Sequence, residues 1–591
     1  MGERRADRTE QKQSTFFGGA AILAVGILVV KLIGMFYKIP LVNIIGQQGT
    51  ADFNNAYNIY AVLLTVSTAG LPVAVSKLVS EANALKRYNQ VRSIFRLALG
   101  LFLLLGLLSF GVMYFRADWL AGLMHDSKAA MGIRALAPAV VCVGCLAAFR
   151  GYSQGHSNMA PTSISQIIEA LCKLIIGLAL AYWLVQKGQP SEVAAAGAIV
   201  GVTVGTVVAM GYMVLHYLFT SRRQPRSTDR PDPAGSILKD ILHIAVPITL
   251  SSSMVGIVTV IDSALVQGQL QRVLLENTQS WTLYAEFVDI PALETAMNAW
   301  LATINSGEAV NMAGLEFHVA QGSQTALALQ EILESFSRTL YGNYGGALNI
   351  YNLPSSLMAA MTASVIPAVS AALARRDRKG AGQITGSALR VTALVACPMG
   401  IGLFVLGTPI IKLLFSNLNS ALAGRLLSTL GLATVSVCLM MVCNSVLQAH
   451  GFVNLPVAVM VLGGIVKIFV NYNVVAMPNI GLYGVPFGNV LCFTLCLVLD
   501  LAIIARVIRG RPKYGSIFIK PVAASVVMGA AAWAVYGLVF KLTQSNSLGV
   551  LGAIGVAVVV YGVLIVTLKA ISRQDLSLMP KGEKIAKLLR L

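Results

Sequence analysis

Charge is what this chain has least of, and acid least of all. Its 591 residues include 25 Asp and Glu against 44 Lys and Arg, and only 12% are charged while 56% are hydrophobic. A soluble domain of this size needs far more polar surface than that. Also missing are a Gly-rich phosphate loop ending in Lys-Ser/Thr, an HExxH pair and a nucleophile elbow, so ATP-driven transport and the common hydrolases are not supported. No stretch outside the apolar runs is long enough for a nucleotide-binding domain. The eight cysteines all lie inside apolar runs, and Cys142 and Cys145 have no second Cys or His pair in a loop, which argues against disulfides and zinc. The residues therefore describe a non-enzyme with no cofactor and no metal.

Apolar runs dominate instead. About fourteen of near-spanning length follow one another, near 16–45, 53–80, 92–115, 131–151, 161–184, 193–219, 240–266, 343–373, 386–414, 421–449, 455–476, 481–508, 517–540 and 547–570. The expected class is an all-α polytopic membrane protein. The first run is much longer than a signal-peptide core, so no cleaved signal is expected.

The net charge of +19 is distributed by topology rather than gathered as a nucleic-acid surface. Arg4, Arg5, Arg8 and Lys12, then Lys86, Arg87 and Arg92, Arg222, Arg223, Arg226 and Arg230, Arg375, Arg376, Arg378 and Lys379, Arg506, Arg509, Arg511 and Lys513, and the Lys581–Arg590 tail all fall in alternate loops. Loops between them, such as Ile45–Thr50 and Ser416–Ser420, have almost no basic residues. That alternation is the positive-inside pattern, and it places both termini of a multi-pass membrane protein in the cytoplasm. The expected organisation is a cytoplasmic tail over 1–15, a six-helix lobe over 16–220, a basic linker over 221–239, a second lobe over 240–510, two further helices over 511–571 and a basic tail over 572–591. Within the second lobe, 267–341 stands out as a polar, acid-rich extracytoplasmic insertion with helical spacing over 291–304 and 325–340. It is a candidate gate, or a docking site for envelope-synthesis proteins.

The halves repeat at an offset of about 294 residues. Asn58-Ile59-Tyr60, Thr68-Ala69, Pro72 and Ala74-Val75-Ser76 return as Asn349-Ile350-Tyr351, Thr362-Ala363, Pro367 and Ala368-Val369-Ser370. Gln154, His156, Pro161 and Lys173 return as Gln448, His450, Pro456 and Lys467. An even number of helices per repeat makes the repeats parallel, which encloses a central cavity between two lobes.

Inside the first run lie Lys31 and Lys38, about two helical turns apart and so on one face. A cation within a span costs several kcal/mol by most scales and faces a wet cavity or an anion. With Lys467 they are the candidate anion-binding cations. Asp52, Asn55, Asn58, Asn349 and Asn352 offer polar contacts for sugar hydroxyls, or join helices. Asp262 can couple an ion or counter a lysine, and Glu169 and Lys173, spaced i,i+4, are expected to neutralise each other. Lys467 has no such neighbour and is expected to stand unpaired.

The run Arg150-Gly151-Tyr152-Ser153-Gln154-Gly155, with Asn158-Met159, Pro161-Thr162, Ser165-Gln166 and Glu169, resembles a signature of bacterial lipid II flippases and stage V sporulation protein B. Tyr57-Asn58-Ile59-Tyr60 through Ser67-Thr68-Ala69-Gly70-Leu71-Pro72-Val73-Ala74-Val75-Ser76-Lys77 strengthens the likeness, which covers nearly the whole chain outside the insertion. The superfamily it points to is the multidrug/oligosaccharidyl-lipid/polysaccharide exporters. That resemblance implies two lobes around a cationic cavity, alternating access, and an undecaprenyl-pyrophosphate-linked saccharide as cargo. It also implies a basic residue at Lys31, while the neighbouring basic position of the family falls on Tyr37, with Lys38 one residue later. Lipid II is the leading cargo. The alternatives are another polysaccharide repeat unit, a cation-coupled drug antiport, and a non-transporting scaffold. A coupling ion or the membrane potential is the candidate drive.

Overall fold

The computed structural model describes all residues except 1–2, 69, 157, 222–227, 306–323, 453, 508–513, 569 and 571–591. The Arg222–Arg226 cluster, Arg509, Arg511, Lys513 and the Lys581–Arg590 tail lie outside the described residues, as do Glu308 and Glu316 of the insertion and the side chains of the 1–15 tail. The described secondary structure is helical. In order the helices are α1 Glu3–Thr68, α2 Leu71–Ala84, α3 Tyr88–Phe115, α4 Ala117–Leu123, α5 Ala129–Gly155, α6 Ala160–Cys172, α7 Leu178–Gln186, α8 Ser191–Ser221 and α9 Ala234–Glu276. They continue as α10 Gln279–Tyr284, α11 Ile290–Asn305, α12 Gln324–Ala374, α13 Arg378–Leu414, α14 Ser420–Ala449, α15 Asn454–Val475, α16 Val485–Val507, α17 Tyr514–Thr543 and α18 Asn546–Thr567.

Helix α1 is two spans joined at a corner. Gly46 takes φ 69° and ψ −166°, a backbone that breaks the helix and that side-chain-bearing residues rarely adopt. Tyr37 and Phe53 would stand about 24 Å apart along a straight helix at 1.5 Å per residue. Their rings are 6.2 Å apart, so the chain doubles back at Gly46. The second expected run is thereby divided between the end of α1 and α2. Among the described residues, eleven helical segments are long and apolar enough to span a membrane. The runs near 240–266 and 343–373 lie in α9 and α12, long helices that fall outside that set of eleven.

The expected polar insertion is in part a continuation of those two helices. Helix α9 runs on to Glu276 and α12 begins at Gln324, leaving α10 and α11 as the added pieces. At 51 residues α12 extends about 75 Å, far more than the roughly 30 Å of a bilayer core. Its first turns therefore stand beyond the membrane, where Ala326, Leu329 and Leu333 join Leu293 and Trp300 of α11 in one apolar cluster.

Apolar burial separates two halves. Tyr37, Leu41, Phe53, Ile133 and Ile199 belong to a cluster of the first half, and Leu71, Phe95, Phe102 and Phe149 to another. Tyr344, Ile350, Leu422, Leu426 and Cys492 belong to a cluster of the second half. Local geometry recurs between the halves as well. Lys86 after α2 and Arg376 after α12 both take φ 59°, and His156 and His450 close α5 and α14 with Nδ1 at 2.9 and 2.8 Å from the carbonyl four residues back.

Candidate functional site

Three lysines of the first half converge beside α12. Lys38 donates to Asn349 Oδ1 at 2.7 Å, a contact between positions 311 residues apart that joins the two halves. Leu41, Val42, Ile45, Thr50, Phe53, Asn54 and Asn349 line a small pocket with it, with room for little more than a water molecule. Lys31 is exposed on the same helix, and its charge and that of Lys173 both reach Lys38.

Lys173 does not pair with Glu169 as the i,i+4 spacing suggested. The Glu169 carboxylate is taken by Arg150 Nη2 at 3.1 Å, from a helix 19 residues earlier, while Arg150 Nε donates to Ser165 Oγ at 3.0 Å. The Lys173 ammonium lies over the rings of Tyr37 and Tyr57, 4.8 Å from each centroid, within the range where a ring face attracts a cation. Local spacing gave the wrong partner because the Glu169 carboxylate is already taken by Arg150, although the Lys173 N–H keeps its regular backbone bond to the Glu169 carbonyl; a π-helical turn follows over Lys173–Gly177. The turn packs against α8 through glycines: a Cβ on Gly201 would sit 2.4 Å from the Gly177 backbone.

Lys467 is not unpaired either. Its ammonium is 2.7 Å from Asp262 Oδ2, and Asn471 Nδ2 donates to Oδ1 of the same carboxylate. Asp262 thus counters a lysine, the second of its two expected roles. The pair spans α9 and α15, which sequence spacing within one helix does not show.

The amides at the corner end join helices. Asn55 is fully buried and donates to Asp126 Oδ2 at 2.7 Å and to Gln267 Oε1 at 3.1 Å. Asn58 donates to Ser263 Oγ at 3.1 Å, and Asn352 is exposed with its carbonyl accepting from Ser355. Asp52 is no cavity acceptor. Arg338 grips it in a bidentate pair at 2.7 and 2.6 Å, and Arg338 Nε also lies 3.4 Å from Asp126 Oδ1. All three are buried, with exposures of 2%, 4% and 0% for Asp52, Arg338 and Asp126.

This charged knot is the centre of a seal across the Gly46 end. Around it Gln48 donates to Ser335 and Thr339, Asn343 to Gln47, and Asn43 to the Leu414 carbonyl. Every one of these bonds runs from the first half to the second. Arg338 and Asp126 were missed from sequence because neither lies in an apolar run; the signal available was Arg338 as one of only two arginines, with Arg272, in the acid-rich 267–341 stretch. Asp126 sits in the turn between α4 and α5, and burial, followed by the charge of Asp52, pushes its carboxyl up to about 8.

The signature residues form a corner, not a cavity wall. Gly151 and Gly155 let α5 touch α2, where added Cβ atoms would lie 2.9 Å from the Pro72 carbonyl and 2.7 Å from Val79. Tyr152 packs with Phe95, Tyr217 and His156. Gln154 reaches Thr162 at 3.5 Å, Asn158 Oδ1 accepts from the Ala160 amide, and Pro161 occupies the first turn of α6. No group of three or more His, Cys, Asp or Glu suited to a metal occurs among the described residues.

Comparison with known proteins shows what this architecture is similar to. Residues 16–272 match the family model of polysaccharide biosynthesis proteins, and residues 308–556 match that of the lipid II flippase MurJ, so the two models account in turn for the first and second halves of the chain. It is 23% identical to the uncharacterized membrane protein YabM of Bacillus subtilis, over 98% of this chain and 97% of that one. The lipid II flippase MurJ of the same organism is 29% identical over 36% of this chain and 40% of its own. A solved structure of lipid II flippase MurJ in an inward closed conformation shares the fold at a TM-score of 0.63 and 13% identity, covering 93% of this chain and 98% of that chain.

Proposed function

We propose that this protein carries an undecaprenyl-pyrophosphate-linked saccharide, lipid II of peptidoglycan synthesis, from the inner to the outer leaflet by alternating access. The observation that carries the proposal is the approach of Lys31, Lys38 and Lys173 to one another beside the inter-lobe contact at Asn349. Three like charges in a membrane interior repel, and a pyrophosphate between them removes that cost while gaining charge-assisted hydrogen bonds. The polyprenyl tail stays in lipid. Support for the cargo comes from the MurJ family model over the second half and from the MurJ relative.

The knot of Asp52, Asp126 and Arg338 then acts as the outer gate. Basic loops such as Lys86–Arg92 and Arg375–Lys379 cluster at the opposite end, which the positive-inside pattern assigns to the cytoplasm, with both termini on that side. In this conformation the gate is shut and the pocket beside Lys38 has room for little more than a water molecule, so loading requires the lobes to move.

Complementation of a conditional lipid II flippase depletion strain tests the reading, with wild type beside Lys31→Ala/Lys38→Ala. Rescue by wild type alone, at equal membrane levels, is the expected result. A well-inserted wild type that does not rescue points to another polysaccharide repeat unit, the reading favoured by the polysaccharide biosynthesis model over residues 16–272.

A further inference from the structure

Helix α16 has a buried stripe of Cys496, Leu497, Ile503 and Ile504, at the three- and four-residue spacing of one helix face. Asp500 stands in the middle of that stripe, where the pattern calls for another apolar side chain. It is 0% exposed, and neither carboxyl oxygen has a hydrogen-bond partner among the described residues. Around this stretch of α16 lie Val442, Cys443, Val446 and Leu447 of α14, with Val365 and Val369 of α12 in the same apolar cluster. A carboxylate with no partner is very costly in such a place, and a buried group of this kind neutralises instead. Intramembrane acids that persist despite the cost are functional by default.

We propose that Asp500 is a proton-binding site of the second lobe, holding a proton in the conformation seen here and releasing it when α14 and α16 rearrange. The ligand is a proton and not a metal cation, since a hard cation needs several oxygen ligands and no group of three or more His, Cys, Asp or Glu that could hold one occurs among the described residues. The titratable groups whose charges are felt here are the thiols of Cys443 on α14 and Cys496 on α16. On α15, Lys467 is committed to Asp262. His450 closes α14, Arg390 and Lys520 lie on α13 and α17, and Arg506 follows on α16 itself; none of them pairs with Asp500. The site connects to the inter-lobe contacts through α12, which carries Arg338, Asn349, Val365 and Val369 on one continuous helix.

The proposal rests on the transporter class and not on the cargo, so its test needs no cargo. The purified full chain in lipid nanodiscs is treated with dicyclohexylcarbodiimide, which attacks protonated carboxyls in apolar surroundings, and the modified peptide is mapped by mass spectrometry. The expected result is adduct at Asp500, falling about tenfold per pH unit above the point where the proton leaves, unchanged by sodium, and absent in Asp500→Asn. In proteoliposomes, an imposed pH gradient is expected to change wild-type turnover and not that of Asp500→Asn. Protection by sodium, adduct independent of pH, or no adduct at Asp500 would overturn the proposal, as would an equal gradient response in the variant. Should no lipid-linked saccharide be transported by either protein, the cargo reading fails while the labelling result still decides the proton site.

Discussion

Removing the Arg338 guanidinium should open the sealed end of the molecule. Arg338 binds Asp52 through two hydrogen bonds and touches Asp126, and all three groups are buried. Arg338→Ala leaves two carboxyl groups facing each other without a counter-charge, a defect that costs about 3–5 kcal/mol in a folded protein. The knot exists only while the halves are together, because Asp52 and Asp126 belong to the first half and Arg338 to the second. The cost therefore falls on the closed arrangement and can be relieved by separating the lobes. At 1.4 kcal/mol per tenfold change, the open-to-closed ratio rises by roughly two to three powers of ten. Spin labels at Gly122 on α4 and Gln279 on α10, both exposed, report the separation as a distance distribution. Wild type should give one short population and Arg338→Ala a dominant longer one. The double variant Asp52→Asn/Arg338→Gln, which removes both charges together, should stay mostly closed. A single short population in Arg338→Ala, or equal opening in the double variant, would refute the assignment of the knot as the seal.

Asp126 makes the same seal sensitive to pH. Its carboxyl titrates near 8 when buried and in the ordinary carboxylate range near 4 when opened to water, so the closed state binds the extra proton. Closure is then fully supported below about pH 4, weakens as pH rises through the window, and changes no further above about 8; Asp126→Asn should flatten the profile in the same distance measurement. Lys38→Ala removes the ammonium proposed to hold the cargo's pyrophosphate, a charge-assisted contact of about 1.5–3 kcal/mol, so turnover of the lipid-linked saccharide should fall by one to two powers of ten. Lys467→Met alone strands the Asp262 carboxylate and should cost about 3–5 kcal/mol, whereas Asp262→Leu/Lys467→Met should recover most of that in a detergent melting assay. Gly201→Ala forces a Cβ against Gly177 and should destabilise by about 1–3 kcal/mol, read as a lower melting temperature; an unchanged melt would mean that α8 shifts freely.

What the sequence made legible was whatever depends on the identity of a residue and its near neighbours. Apolar runs located the spans, the Lys31/Lys38 pair marked a basic face, and Gly46 bends the chain where the short loop was expected. Partners across helices were beyond it. Glu169 sits four residues from Lys173, which made a local pair plausible, yet Arg150 holds it because the short turn between α5 and α6 folds the two helices so that these residues meet. Lys467 looked unpaired for the converse reason: its acid is 205 residues away in sequence and 2.7 Å away in space. Asp52 and Asn55 looked like cavity polars because a buried polar group near a membrane site invites that expectation, but burial demands partners first. Satisfying that demand gave the first half its bonds to Gln267 and Arg338, and so turned a row of amides into a closure. The lysines follow another pattern. Lys38 donates to a neutral amide, Lys173 lies over two ring faces with Glu169 four residues away committed to Arg150, and Lys31 is exposed. In a chain with so few acids, three lysines gathered beside the Asn349 contact are the arrangement that the proposed anionic cargo would complete.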